Sequence, residues 1–227
     1  MQINKIYYGV IGVGHIGNYH AQQIQKIPGV ILEGVYDVLL EQAQKVSKKN
    51  KTKVYHELSD LLSKCQAVTI ATPAHSHFQL AMQALHHNCH IFIEKPITTR
   101  IKEANQIIAL AKKKNRLIQV GHIERFNPVV EETKKLLDQK LIGDIYQINV
   151  NRMGPNPNRK LDTGVFLDLA THDIDIVRYL LGEEPISVYS CSNTINGKIQ
   201  YEDLGSSILT FSNNKIVNIN GVLNKIG

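Results

Sequence analysis

"GVIGVGHIG", residues 9 to 17, carries the spacing G-x-G-x-x-G at Gly12, Gly14 and Gly17. The spacing alone is common, but its setting is specific. An apolar, β-branched run, Ile6–Ile11, precedes it, and Ile16, His20, Ile24 and Ile27 follow at helical spacing. A strand that turns through glycines into a helix makes an anion site, because the first N–H groups of a helix have no intrahelical partner. Gly12 permits the tight turn, Gly14 lets the backbone approach a pyrophosphate, and Gly17 lets the helix pack against the strand. With His15 and Ile16 between the last two glycines, the loop supplies the first candidate cofactor contacts. The second strand ends in Asp37, twenty residues after Gly17. A carboxylate there accepts hydrogen bonds from ribose hydroxyls and repels a 2′-phosphate. Val38, Leu39 and Leu40 follow it, so no arginine stands beside it to bind that phosphate. NAD is therefore the expected cofactor, and NADP the disfavoured one.

Working outward, further apolar runs occur at Ile31–Tyr36, Ala67–Ala71, His90–Ile93 and Leu117–Val120. Between them Phe78, Ala81, Met82 and Leu85 recur at helical spacing, as do Ile101, Ala104, Ile108 and Ala111. This alternation predicts a doubly wound parallel sheet, an α/β fold with helices on both faces. After "GHIERFNP" (121–128) the pattern changes. A helix from Val129 to about Gln139, a strand at Ile145–Arg152 and the loop "MGPNPNRKLDTG" come next. A helix then runs through "DLATHDIDIVRYLLG" to a stop at Gly182 and Pro185, and strands at Ile186–Ser192, Ser206–Phe211 and Ile216–Leu223 finish the chain. Consecutive strands joined by short turns predict an antiparallel or mixed sheet. The expected division is a dinucleotide-binding domain at 1–120 and a second α/β domain at 121–227.

"HIFIEKPIT" (90–98) ends a buried-strand pattern in Glu94, Lys95 and Pro96. A charged pair held rigid at a strand's carboxyl end is where an open α/β sheet places its chemistry. On these nine residues alone a surface ion pair at a proline turn is an equal reading. "ATPAHSHFQLA" (71–81) leaves a strand through a proline turn, placing Thr72 and Pro73 beside the nicotinamide half of the cofactor; His77 caps or packs there. "GVFLDLATHDIDIVRYLLG" (164–182) holds Asp168 and His172 four apart, on one face if the helix already includes Asp168. A carboxylate beside an imidazole orients it and raises its proton affinity, which suits a general base. The same pair reads equally as a core hydrogen bond. Asp175 is expected to cap the helix or pair with Arg178. The crowd "HHNCH" (86–90) invites a metal reading. His86 and His87 point to different helix faces, His90 starts a strand, and Asn88 suits a helix end, so no metal is expected.

Composition narrows the classes. With 43% hydrophobic and 20% charged residues, the chain can bury a core. The net charge of +6 raises the question of nucleic acid. The lysines concentrate in "KVSKKNKTKV" (45–54) and "AKKKNRL" (111–117), both read as helix carboxyl ends, where cations suit the helix dipole, and no aromatics interleave. A solvated face is expected, not a nucleic-acid surface. Cys65, Cys89 and Cys191 are too few and too far apart for a disulfide framework and fit a reducing compartment. The start "MQINKIYYGV" does not read as a signal peptide, and no run is long enough for a membrane span. A cytoplasmic location is expected.

"GVGHIG", "ATPxxxHxxxA", "EKP" and "DxxxHDID" occur in this order. Together they resemble the glucose–fructose oxidoreductase/inositol dehydrogenase (Gfo/Idh/MocA) family, from Lys5 to about Ser192. The resemblance implies an amino-terminal Rossmann domain, and a carboxyl-terminal domain with an open sheet that often forms an oligomer interface. It further implies hydride transfer between NAD(P) and a sugar or cyclitol carbinol. By resemblance Lys95 stabilises the developing alkoxide, His172 accepts the proton and Asp168 supports it. Glu94 steadies Lys95 or the nicotinamide amide, and Pro96 fixes the turn, through a cis bond in one version. Lys95, Arg125, Asp168 and His172 are the candidate substrate contacts, and Arg152 and Arg159 join Arg125 as cations suited to a diphosphate. "GHIERFNP" and the 154–180 stretch most resemble the branch that oxidises the 3-hydroxyl of UDP-N-acetylglucosamine. An inositol or free-sugar dehydrogenase, and a non-catalytic NAD-binding regulator or truncated relic, are the alternatives. Family members usually continue beyond "VLNKIG" with more strands and a closing helix, so a fragment or shortened chain is expected.

Overall fold

The computed structural model describes residues 5–155, 163–195 and 200–224. The chain divides into two compact units, the first ending at Gly121 and the second beginning at His122.

The first unit alternates strands β1 (Ile6–Ile11), β2 (Val30–Tyr36), β3 (Lys53–Val54), β4 (Ala67–Ile70), β5 (His90–Ile93) and β6 (Ile118–Val120) with helices. These helices are α1 (His15–Ile24), α2 (Leu40–Asn50), α3 (Leu58–Lys64), α4 (His77–His86) and α5 (Ile101–Lys114). All six strands are parallel, in the order β3-β2-β1-β4-β5-β6. Successive side chains of a strand face opposite ways, and β1 shows the consequence. Val10 joins Leu32, Val35, Ala21, Ile24, Ala43 and Val46 on the α1/α2 face. Ile11 joins Val68, Ile70, Ile91 and Ile93 under Leu61, Leu62, Ala81, Leu85 and Ile107 of α3, α4 and α5. Both faces being covered explains why β4 and β5 read as near-continuous apolar runs.

The two-residue β3 had no counterpart in the sequence reading, which ran the lysines of 45–54 into a helix end and turn. The helix does end at Asn50, with Lys51 left-handed (φ 50). The chain then pairs Lys53 and Val54 with Gly34 and Val35 at the sheet's edge. A short, lysine-bearing strand is a common way to finish an exposed edge.

The second unit opens with a short 3-10 turn, Ile123–Phe126, and helix α6 (Pro128–Asp138), whose Asn127 side chain accepts the Val129 N–H. Strand β7 (Gln147–Pro155) follows. After it come a π-helical turn (Phe166–Ala170), helix α7 (Thr171–Leu181), and strands β8 (Ser187–Asn193), β9 (Leu204–Thr210) and β10 (Ile216–Asn224). The sheet order is β7-β10-β9-β8, with β7 parallel to β10 and the rest antiparallel, so the sheet is mixed. Leu209, Phe211, Val217 and Ile219 bury one face against Ala170 and Val177. On the opposite face Asn218 and Asn220 donate to Asn149 and Asn151 at 2.8 and 3.0 Å.

Candidate active site

All six strands of the first unit end on one edge, as parallel strands must, and the strand order reverses between β1 and β4. A crevice at such a reversal is where open α/β sheets bind ligands. Gly12 leaves β1 at φ +79, with its N–H on Tyr36 O at 2.8 Å. A Cβ there would lie 2.4 Å from Thr72 Cγ2 and 2.9 Å from Ala71 O. A Cβ on Gly17 would lie 1.9 Å from Gly12 O. Both glycines are thus required by the protein's own packing. Gly14 differs: nothing among the described residues lies within 4 Å of its Cβ position, and no side chain among them caps the helix it opens. Open space above bare backbone at a helix amino terminus fits a pyrophosphate. His15 and Ile16 lie exposed in the first turn, with the His15 ring edge-on to Tyr19 at 4.9 Å.

Asp37 closes the loop from the side. Its Oδ2 accepts the Val13 N–H at 2.8 Å and its Oδ1 the Leu39 N–H at 2.9 Å. Backbone from both flanks therefore fixes the carboxylate beside the glycine turn. Val38 and Leu39, beyond it, are 85% and 67% exposed and form an apolar rim.

The turns after β4 and β5 are tied together. His77, 1% exposed, lies with Nδ1 2.8 Å from Pro96 O and Nε2 2.9 Å from Thr72 O. Ser76 Oγ donates to Thr72 Oγ1 at 2.7 Å. The Lys95–Pro96 bond is cis, and Lys95 is half-buried. Glu94 Oε1 lies 2.7 Å from His20 Nε2 on α1, and a Cβ on Gly121 would sit 3.0 Å from Glu94 Oε2. His20 is the residue the sequence reading missed in this role. It was seen only as one position on a helix face, and nothing in one dimension places it under β5.

In the second unit the helix does not begin as an α-helix. Asp168, 8% exposed, sits in the π-helical turn, and His172, half-buried, is the second residue of α7. The continuous α-helix supposed from the sequence is therefore a π-helical turn that runs into α7, with Asp168 in the first and His172 in the second. Such turns recur at functional sites. Two buried aspartates follow His172. Asp173 takes a bidentate contact from Arg152, at 2.7 to 3.0 Å. Asp175 takes one from Arg125, at 2.6 and 2.7 Å. The expected Asp175–Arg178 pair does not form; Arg178 pairs with Glu184 instead. The hydrogen bonds they donate to Asp175 and Asp173 hold Arg125 and Arg152 more firmly charged than isolated guanidiniums. Arg125 also lies over the Tyr179 ring at 5.4 Å. Arg125 and Arg152, two of the three arginines proposed from sequence for a diphosphate, thus each spend a planar fork on α7. Arg159 lies outside the described residues.

Among the described residues, no group of three or more His, Cys, Asp or Glu is placed to hold a metal ion. His90 is engaged otherwise, accepting the Leu117 N–H at 2.9 Å on Nδ1. No described helix is long and apolar enough to cross a membrane.

The glycine loop, its carboxylate and the doubly wound sheet have the form of a dinucleotide-binding domain, followed by a mixed α/β domain. Comparison with known proteins gives the same class. Residues 6–122 match the profile of an oxidoreductase family with an NAD-binding Rossmann fold, and residues 130–224 match the Gfo/Idh/MocA carboxyl-terminal domain. The chain belongs to the Gfo/Idh/MocA family. It is 32% identical over 211 residues to a UDP-N-acetylglucosamine 3-dehydrogenase of Acidithiobacillus ferrooxidans, covering 93% of this chain and 65% of that one. It is also 32% identical over 217 residues to a Bacillus subtilis scyllo-inositol 2-dehydrogenase (NAD(+)), covering 90% of this chain and 63% of that one. The chain therefore spans slightly less than two-thirds of either relative's length. The solved structure of the Acidithiobacillus dehydrogenase superposes with a TM-score of 0.86 at 31% identity, over 97% of this chain and 70% of that one.

Proposed function

We propose that the protein is an NAD-dependent dehydrogenase that moves hydride between a sugar secondary alcohol and the nicotinamide. The observation that carries this reading is Lys95: a half-buried ammonium-bearing side chain at the carboxyl end of a central parallel strand, beside the turn of the cofactor loop's neighbouring strand. Gly14 and the uncapped start of α1 fit the pyrophosphate of NAD, and Asp37 fits the ribose diol. Asp37 with the apolar rim of Val38 and Leu39 favours NAD over NADP. When bound, the nicotinamide supplies the hydride acceptor.

The chain's residues supply the rest. Lys95 stabilises negative charge growing on the carbinol oxygen, which eases loss of its proton. His172 takes that proton, and Asp168 orients the imidazole that does so. The Asp173–Arg152 and Asp175–Arg125 pairs fix the turn of α7 that carries His172. We assign the first unit to the cofactor and the second to the substrate. The exposed face of the second unit's sheet, where Tyr189 and Ile208 are 72% and 47% exposed, suits contact with another copy of the chain.

For the substrate, the similarity to the Acidithiobacillus enzyme favours the 3-hydroxyl of a nucleotide sugar such as UDP-N-acetylglucosamine. The equal identity to the scyllo-inositol enzyme keeps a cyclitol as the second reading. Purified protein is incubated with NAD and a panel of UDP-sugars and cyclitols while absorbance of reduced nicotinamide is followed. Turnover with UDP-N-acetylglucosamine supports the first reading, and turnover with inositols alone selects the second. Binding of NAD with no turnover on any of them refutes both and selects a non-catalytic regulator.

A further inference from the structure

We propose that His77 is a positioning residue: its ring is a two-donor bracket that joins the turn after β4 to the turn carrying Lys95. The argument begins with its partners. Both are backbone carbonyl oxygens, Pro96 O at 2.8 Å from Nδ1 and Thr72 O at 2.9 Å from Nε2. A carbonyl oxygen only accepts, so each ring nitrogen must donate. Neutral imidazole carries one N–H, and only the doubly protonated ring carries two. An ordinary buried histidine donates on one side and accepts on the other. This one faces acceptors on both, and at 1% exposure no bulk water can stand in.

Such hydrogen bonds strengthen where water is excluded. With a donor on one nitrogen alone, a lone pair would face a carbonyl oxygen, and one turn would be released.

What the bracket holds is specific. Pro96 O belongs to the residue directly after Lys95, and Thr72 lies where the chain leaves β4 for Pro73. Ser76 adds a second tie to the same turn, through Thr72 Oγ1 at 2.7 Å and Pro73 O at 2.8 Å. The catalytic consequence rests on the dehydrogenase reading above, whereas the two-donor geometry does not.

The test therefore has two arms. In protein labelled with ¹⁵N-histidine, both His77 ring nitrogens should show the shifts of protonated nitrogen at neutral pH. One protonated and one bare nitrogen overturns the bracket and leaves the dehydrogenase reading untouched. In the second arm, His77→Gln keeps a donor but cannot span both carbonyls, and His77→Phe keeps the ring and loses every donor. Turnover should fall about tenfold in Gln and about a hundredfold in Phe, with NAD affinity nearly unchanged. Equal turnover in both variants and the parent overturns the positioning role. If the parent turns over no substrate while both nitrogens are protonated, the dehydrogenase reading fails and the bracket stands. If a variant does not fold, the labelled parent alone decides.

Discussion

Gly14→Ala separates the cofactor cradle from the fold. At this position φ is −62, a backbone value alanine adopts without strain, and the added methyl meets no atom of the described residues within 4 Å. Alanine also narrows the unfolded ensemble, a gain of about 0.4–1 kcal/mol where the native conformation suits it. The variant should melt at the parent's temperature or slightly above. The methyl would nevertheless occupy the space where backbone is proposed to meet the pyrophosphate. Forcing one extra methyl into a fitted contact costs about 1–3 kcal/mol. At 1.4 kcal/mol per factor of ten, that is roughly a tenfold to hundredfold loss of NAD affinity. Gly17→Ala is the control with the opposite sign. Its methyl would lie 1.9 Å from Gly12 O, so the fold itself must give way, by about 1–3 kcal/mol. Isothermal titration calorimetry with NAD and thermal melts of the three proteins read both quantities. Parent-like NAD affinity in Gly14→Ala refutes the cradle.

Asp37→Ala should weaken NAD binding and narrow the preference over NADP; equal affinity for the two cofactors in the unmodified protein contradicts the assignment of Asp37. His172→Ala should lower turnover by about 10²–10⁴-fold with NAD affinity nearly unchanged, and retention of most activity would make His172 a packing residue. Burial pushes the Cys65 thiol up to about 12 and the Cys89 thiol up to about 11, from an ordinary 9. Both therefore stabilise the fold as neutral groups, fully below pH 9, and this contribution is lost as the unfolded chain ionises first between pH 9 and 12. Urea unfolding at stepped pH should show stability falling across that window, less steeply in Cys65→Ala; identical slopes refute the burial effect.

Much of the first unit was legible because its signals are local. Strand-then-glycine-then-helix at 6–24, and a carboxylate at the second strand's end, are patterns of adjacent residues. Apolar runs in β4 and β5 announced strands covered on both faces. What escaped depended on partners distant in sequence. His20 reaches Glu94 across 74 residues, and Arg125 reaches Asp175 across 50. The nearer and more obvious partner, Arg178, lies one helical turn from Asp175 yet turns to Glu184. The π turn at Phe166–Ala170 was invisible for another reason: its residues have ordinary helix periodicity, and one extra residue per turn leaves no mark in composition. His77 shows both limits. Its sequence context suggested packing, and only the two carbonyls facing it reveal a donor on each side.

The central claim is that Lys95 stabilises the alkoxide as hydride leaves the carbinol, and Lys95→Met tests it most directly. Methionine keeps a stem of similar length and removes the charge. Loss of one such preorganised contact costs roughly 3 kcal/mol in the transition state, about a hundredfold or more in rate. Lys95→Arg should recover little of this, since a planar fork cannot replace a compact ammonium. The measurement is single-turnover reduction of NAD by the substrate the panel identifies, with NAD affinity measured on the same protein. The account predicts a hundredfold slower hydride step in Lys95→Met with NAD bound as in the parent. A hydride step at the parent's rate contradicts it and returns Glu94-Lys95-Pro96 to a surface charge pair at a proline turn.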